Sequence, residues 1–140
     1  MNLKQFLDKY GQDTSTNFDL LKWAKELKIH NFKVLMKNEL HKLKKTKKNF
    51  IICNYQTTKE GGTHWTALYK NKDKVYYFDS YGLQPDFEVL NFLDEGVYST
   101  FKIQKNNCRN CGQLCLYVLY KLSEGYDFYD IVLELYKELC

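Results

Sequence analysis

The period of the apolar positions changes several times along the chain, and each change marks an element. Asn2 to Tyr10 reads as a short helix stopped by Gly11. Thr14, Ser15, Thr16 and Asn17 all suit an N-cap, and the run FDLLKWAKELK after them sets Phe18, Leu20, Leu21, Ala24 and Leu27 at helical spacing. Residues 32–36 (FKVLM) read as a short strand followed by a basic loop. Three strand-like runs come next: 49–56 (NFIICNYQ), 63–70 (THWTALYK) and 75–81 (VYYFDSY). Asn71 to Lys74 separates the last two as a tight hairpin turn does. Residues 86–95 read as a helix ended by Gly96, and residues 97–104 return to strand character. Cys111 to Glu124 is a strongly apolar helix stopped by Gly125, and Tyr126 to Leu139 is a second one. Helices at both ends of a central run of strands predict an α+β fold. With one proline and no Ser/Gly-rich linker, no domain boundary shows, so residues 1–140 are read as a single domain.

Composition narrows the class. Aromatic residues make up 16 %, with 12 Tyr and 9 Phe, which excludes a disordered chain. No apolar run approaches the ~20 residues of a membrane span. The N-terminal MNLKQFLDKYGQD has neither a long apolar stretch nor a small-residue cleavage site, so it is not read as a signal peptide and the chain is expected not to be secreted. The net charge of +4 is unevenly spread: residues 1–21 carry −1, residues 22–48 carry +8 and residues 49–140 carry −3. The densest part is HKLKKTKK, where Lys42, Lys44, Lys45, Lys47 and Lys48 form a candidate polyanion patch, against the plainer reading of a solvated Lys-rich loop. With 20 Lys and one Arg, sequence-specific DNA recognition is not expected. Five cysteines, an odd number without dense spacing, predict free thiols in a reducing compartment.

Chemistry concentrates in three places: His64 in GGTHW, Asp79 in YFDSYG and Cys111 in NCGQLC. A thiol nucleophile needs a base, and the base needs an orienting carboxylate. If Lys70 pairs with Val75 across the turn, Asp79 faces Thr66, and His64 lies on the same side of the sheet as Thr66. His64 and Asp79 are then diagonal neighbours about 7 Å apart at Cβ, close enough for an imidazole–carboxylate hydrogen bond. A one-residue slip would put them on opposite faces. Cys111 opens a helix, whose positive end favours thiolate. Gly112 is expected to leave room for a substrate carbonyl, with the Cys111 N–H facing the oxyanion. Gln104, upstream at the end of a strand, is placed to supply a second donor. Each residue alone has a plain reading: a structural strand His, a turn-starting Asp, a small core Cys like Cys115.

Together, GGTHWTALYKNKDKVYYFDSYG, Gln104 and NCGQLC resemble the adenovirus-type cysteine proteases, of the same clan as the ubiquitin-like-protein proteases. In that clan a His-Trp pair on a strand precedes an acidic residue on the next strand, and a Gln lies six or seven residues before a Cys-Gly at a helix start. The matching positions are His64-Trp65, Asp79, Gln104 and Cys111-Gly112, within residues 50–120. Gly61-Gly62, Tyr81-Gly82 and Cys115 bring the match nearer the viral branch, although Asp79 stands where adenoviral members have Glu. Residues 17–40 also resemble the N-terminal part of protease-like proteins of virophages and Maverick-type elements. The resemblance implies a papain-like fold, with a mixed or antiparallel sheet packed between N-terminal helices and a buried helix carrying the catalytic Cys at its N-terminus. It implies Cys111 as nucleophile, His64 as general base, Asp79 as its orienter, Gln104 as oxyanion donor and Trp65 as a supporting aromatic. Its substrates would be capsid and core precursor proteins, cut by a monomer in the virion and infected cell. No cofactor or membrane partner is implied. Family members are stimulated by DNA and by an activating peptide; the lysine patch would suit the first, and no Cys here is assignable to the second.

Other classes fit the sequence less well. A ubiquitin-like-protein deconjugase of the same clan usually has a larger domain. Cys108-x-x-Cys111 matches a redox motif, but it comes late, after antiparallel-looking strands rather than in a βαβ unit. Zinc held by Cys108, Cys111 and Cys115 lacks a second ligand pair, so no metal is expected. A non-catalytic polyanion-binding module is the alternative outside enzymes.

Overall fold

The computed structural model describes residues 1–11, 13–43, 48–54, 64–71, 74–94, 96–98, 102–103 and 109–139. Helix α1 (Leu3–Tyr10) starts on an Asn2–Gln5 capping box, and α2 (Asn17–Glu26) on a Thr16–Asp19 box, so Thr16 is the residue that caps among the candidates. Of the apolar positions expected to face inward on α2, Leu20 and Ala24 are buried, while Phe18 and Leu21 are exposed.

Strand β1 (Phe32–Met36) runs into a 3₁₀ helix, Lys37–Lys42, where a basic loop was expected. Glu39 accepts from the Met36 N–H, and Lys37 Nζ sits 2.7 Å from Asp86 at the start of the next helix, which together favour an ordered turn over a solvated loop. Strands β2 (Asn49–Asn54), β3 (Trp65–Lys70) and β4 (Val75–Phe78) follow, then α3 (Phe87–Leu93), capped by Asp86. Among the described residues strand β5 is Val97–Tyr98, and residues 102–103 of the expected 97–104 run are not strand, the rest of that run lying outside the described residues. Helices α4 (Cys111–Ser123) and α5 (Phe128–Leu139) complete the order.

The five strands lie in sequence order in one mixed sheet. β1 is parallel to β2, β3 is antiparallel to β2 and β4, and β5 is parallel to β4. Alternation along the strands splits the core in two. Phe50, Ile52, Ala67, Tyr69 and Phe78 face a cluster with residues of α1, α2, α4 and α5. Ile51, Cys53, Leu68 and Tyr77 face Leu40 of the 3₁₀ helix and Val89, Phe92 and Leu93 of α3. The α+β class and mixed sheet are therefore as expected, but the layering differs in one respect. The N-terminal helices share a face with α4, and the opposite face is closed by the 3₁₀ helix and α3. Helix α4 is buried along Cys111–Leu119 because β2 and β3 lie under it while α1, α2 and α5 pack on its other sides.

Candidate active site

The β3–β4 hairpin decides which side chains can meet. Lys70 pairs with Val75 and Ala67 with Phe78, the register set by a turn in which the Asn71 N–H donates to the Lys74 carbonyl at 2.9 Å. Continued one step beyond Ala67 and Phe78, that register sets Thr66 across from Asp79. His64, two residues before Thr66, reaches Asp79 with Nε2 2.8 Å from Oδ1. Asp79 is wholly buried at the end of β4 and opens a turn in which the Gly82 N–H donates to its carbonyl at 2.8 Å. Gly82 closes that turn at φ +72°, a conformation glycine adopts without strain. The same Oδ1 also accepts the Tyr81 backbone N–H at 2.8 Å, and the Tyr81 ring stacks on the imidazole with centroids 4.5 Å apart.

The Cys111 thiol, on the first residue of α4, is near enough to the same imidazole to act on its charge. Burial is the largest influence on His64 and works against a charged ring. The hydrogen bond with Asp79 and the closeness of Asp79 and Cys111 to the ring outweigh it and raise its pKa to about 9. With Nε2 engaged by Asp79, Nδ1, which is buried, is the nitrogen left for the sulfur. A protonated ring between a carboxylate and a thiol is the arrangement that makes a thiolate at neutral pH.

Helix α4 is held against β3 beside this group. The Cys115 thiol, one turn on, donates to the Trp65 carbonyl at 3.3 Å, and the Trp65 indole N–H donates to the Ser15 carbonyl at 3.2 Å. Gly112 was expected to leave room for substrate, but its open side is filled by protein. A Cβ there would stand 2.1 Å from Ser15 Oγ and 3.2 Å from Trp65 Cδ1. The glycine permits close packing of the segment before α2 against α4. Gln113, not singled out from the sequence, is buried and donates to the carbonyls of Tyr10 at 3.3 Å and Asp13 at 2.8 Å. Its only sequence signal is an amide inside the apolar run CGQLCLYVLY.

Gln104 and Cys108 lie outside the described residues, as do Lys44, Lys45 and Lys47 of the lysine patch. Lys42 is exposed. Lys48 is also exposed, with its ammonium 5.5 Å above the Phe50 ring and 5.9 Å from that of Tyr69, a placement that covers aromatic surface. Among the described residues no group of three His, Cys, Asp or Glu could hold a metal, and no helix is long and apolar enough to cross a membrane.

This architecture has solved counterparts. The structure is similar to a crystal structure of ASFV pS273R protease, with a TM-score of 0.64 at 15 % identity, covering 89 % of this chain and 65 % of that one. A selenomethionine form of the same ASFV protease gives a TM-score of 0.60 at 15 % identity, covering 98 % of this chain and 73 % of that one. The fold is that of the papain-like, ubiquitin-like-protein proteases. The likeness is to an ASFV protease, and it does not single out the adenoviral branch whose motifs the sequence resembles. The chain spans just under two thirds of the first of those structures. No protein-family model and no curated protein sequence matches the chain.

Proposed function

We propose that this chain is a cysteine endopeptidase of viral type that cleaves capsid and core precursor proteins. The observation that carries the reading is the buried Asp79 carboxylate 2.8 Å from His64 Nε2, with Cys111 at the start of α4 near enough to act on the charge of the same ring. Neither a polyanion-binding module nor a dithiol redox site calls for a buried carboxylate aimed at a histidine.

Catalysis follows from that geometry. Cys111 as thiolate attacks the scissile carbonyl carbon, forming a C–S bond and a tetrahedral oxyanion. The Cys111 backbone N–H and the side-chain amide of Gln104 are assigned to the oxyanion. His64 as imidazolium gives its proton to the departing amine as the C–N bond breaks, leaving a thioester. Neutral His64 then takes a proton from water, whose oxygen attacks the thioester. Collapse releases the carboxylic acid, and the thiolate–imidazolium pair returns. Asp79 keeps the ring oriented and favours its charged form throughout. Trp65 supports the site through its bond to the Ser15 carbonyl.

On this reading the protein needs no cofactor and acts as a monomer in the virion and infected cell. The lysine patch at residues 42–48 is its contact for stimulation by non-specific nucleic acid, and stimulation by an activating peptide belongs to the same proposal. The adenovirus-type assignment rests on the motifs around His64, Asp79 and Cys111. The test is incubation with candidate precursors, comparing wild type, Cys111→Ala and Cys108→Ala. Loss of cleavage and of thiol labelling only in Cys111→Ala supports the reading. Equal loss in both variants favours a dithiol site, and metal found by elemental analysis favours zinc.

A further inference from the structure

Tyr81 touches both halves of the acid–base pair, one through its backbone and the other through its side chain. Its N–H donates to Asp79 Oδ1 at 2.8 Å, the same oxygen that meets His64 Nε2 at 2.8 Å. Its ring lies against the imidazole at 4.5 Å between centroids and 28° between planes. Two constraints on the histidine are thus perpendicular to each other: the carboxylate acts in the ring plane, and the phenol ring on its face. The turn that carries Tyr81 is itself held, since the Gly82 N–H donates to the Asp79 carbonyl and the Ile103 N–H to the Ser80 carbonyl, each at 2.8 Å.

An imidazole bonded by one edge alone can still pivot about that bond. Pivoting would move Nδ1 away from the sulfur while leaving the Asp79 contact intact. A face-on aromatic removes that freedom and keeps water from the imidazole–carboxylate bond, which strengthens the bond in its low-dielectric surroundings.

We infer that Tyr81 is a positioning residue of the site, fixing the plane of the His64 ring with its side chain while its backbone N–H fixes the Asp79 carboxylate. The phenol hydroxyl plays no part in this assignment, so Tyr81→Phe keeps the function. Tyr81→Ala keeps only the backbone bond. The inference rests on the protease reading for its purpose but not for its test.

That test has two readouts, neither needing a peptide substrate. The first is the ring N–H proton resonance of His64 in protein labelled with ¹⁵N-histidine, assigned by its loss in His64→Gln. Wild type and Tyr81→Phe are expected to show a sharp, downfield signal protected from exchange with water. In Tyr81→Ala it broadens or vanishes at temperatures where circular dichroism shows the fold intact. The second is the rate at which iodoacetamide alkylates Cys111 at pH 7, followed by mass spectrometry. It should be unchanged in Tyr81→Phe and fall roughly 10- to 100-fold in Tyr81→Ala, the cost of a misplaced catalytic group. A Tyr81→Ala protein with a wild-type resonance and alkylation rate would overturn the inference. So would a Tyr81→Phe protein as impaired as Tyr81→Ala. If the wild type shows both signatures yet cleaves no precursor, the proposed function fails while the positioning role stands.

Discussion

Replacing Gly112 by alanine sets two effects of opposite sign against each other. Inside a helix, alanine is favoured over glycine by about 1 kcal/mol from backbone propensity alone. Against that, the new methyl would stand 2.1 Å from Ser15 Oγ, 3.2 Å from Trp65 Cδ1 and 3.3 Å from Leu20 Cδ2. Ser15 is poorly able to retreat, because its carbonyl is held by the Trp65 indole and its side chain is one bond long and buried. Overpacking of a filled interior costs about 1–3 kcal/mol, and a contact this short belongs at the upper end. The net expectation is a loss of about 2 kcal/mol, which for a chain of this size lowers Tm by roughly 8 °C. Ser15 Oγ has no hydrogen-bond partner among the described residues, so Ser15→Ala alone should change stability by less than about 0.5 kcal/mol. Combined with Gly112→Ala, it should restore most of the loss, since the 2.1 Å clash is with the oxygen it removes. Urea unfolding of the four proteins measures this, with equal slopes confirming that only the midpoint moves. If Gly112→Ala were as stable as wild type, or if the two changes were additive, the packing argument would be wrong.

Four further outcomes follow from the structure and the sequence. The His64 pKa is raised from 6.5 to about 9, so the protonated ring's contribution to stability is complete below pH 6.5 and is lost as pH rises through about 9. The urea midpoint should therefore decline over that window in wild type and stay flatter in His64→Gln. Asp79→Asn removes a hydrogen bond and a negative charge that favour imidazolium, so the titration of the His64 ring, followed by ¹H–¹⁵N NMR, should move at least about one pH unit lower. An unmoved titration would mean that Asp79 does not set the charge of the ring. Cys53 and Cys115 have no exposure, and burial pushes both thiols up, so iodoacetamide on the folded protein should spare them until denaturant is added. Early modification of either, mapped by peptide mass spectrometry, would contradict their burial. If the lysine patch engages polyanions, affinity for single- or double-stranded DNA should fall steeply between 50 and 200 mM salt. A flat response would leave Lys42 and Lys48 as solvated side chains.

The legible part of this molecule was local. A four-residue turn with Asn at its head fixes the β3–β4 register, and that register alone brings position 64 against position 79. The Gly11 stop of α1, the cap candidates before α2 and the apolar length of α4 were equally plain, whereas Asn2, read as part of α1, is its cap. What stayed hidden depends on three-dimensional layering. An amphipathic stripe shows that a helix has an inner face but not which side of a sheet receives it. The placement of α1 and α2 beside α4 was therefore not readable, nor the closing of the other face by the 3₁₀ helix and α3. Phe18 and Leu21 follow the helical period of α2 and still face solvent, because only Leu20 and Ala24 reach the core. Gly112 was read for its proximity to Cys111, whereas its missing side chain is demanded by Ser15 from a segment about a hundred residues away in sequence. Gln113 was invisible for a related reason: the carbonyls its side-chain N–H groups reach belong to the last residue of α1 and the turn after it.

The central claim is that Cys111 breaks peptide bonds with His64 as its proton carrier. The most direct measurement is to incubate wild type and Cys111→Ala with a proteome-derived peptide library and sequence the new termini by mass spectrometry. Wild type should generate termini that share a common sequence around the cut, with none above background in Cys111→Ala. Identical termini in both proteins, or none in either, would contradict the account.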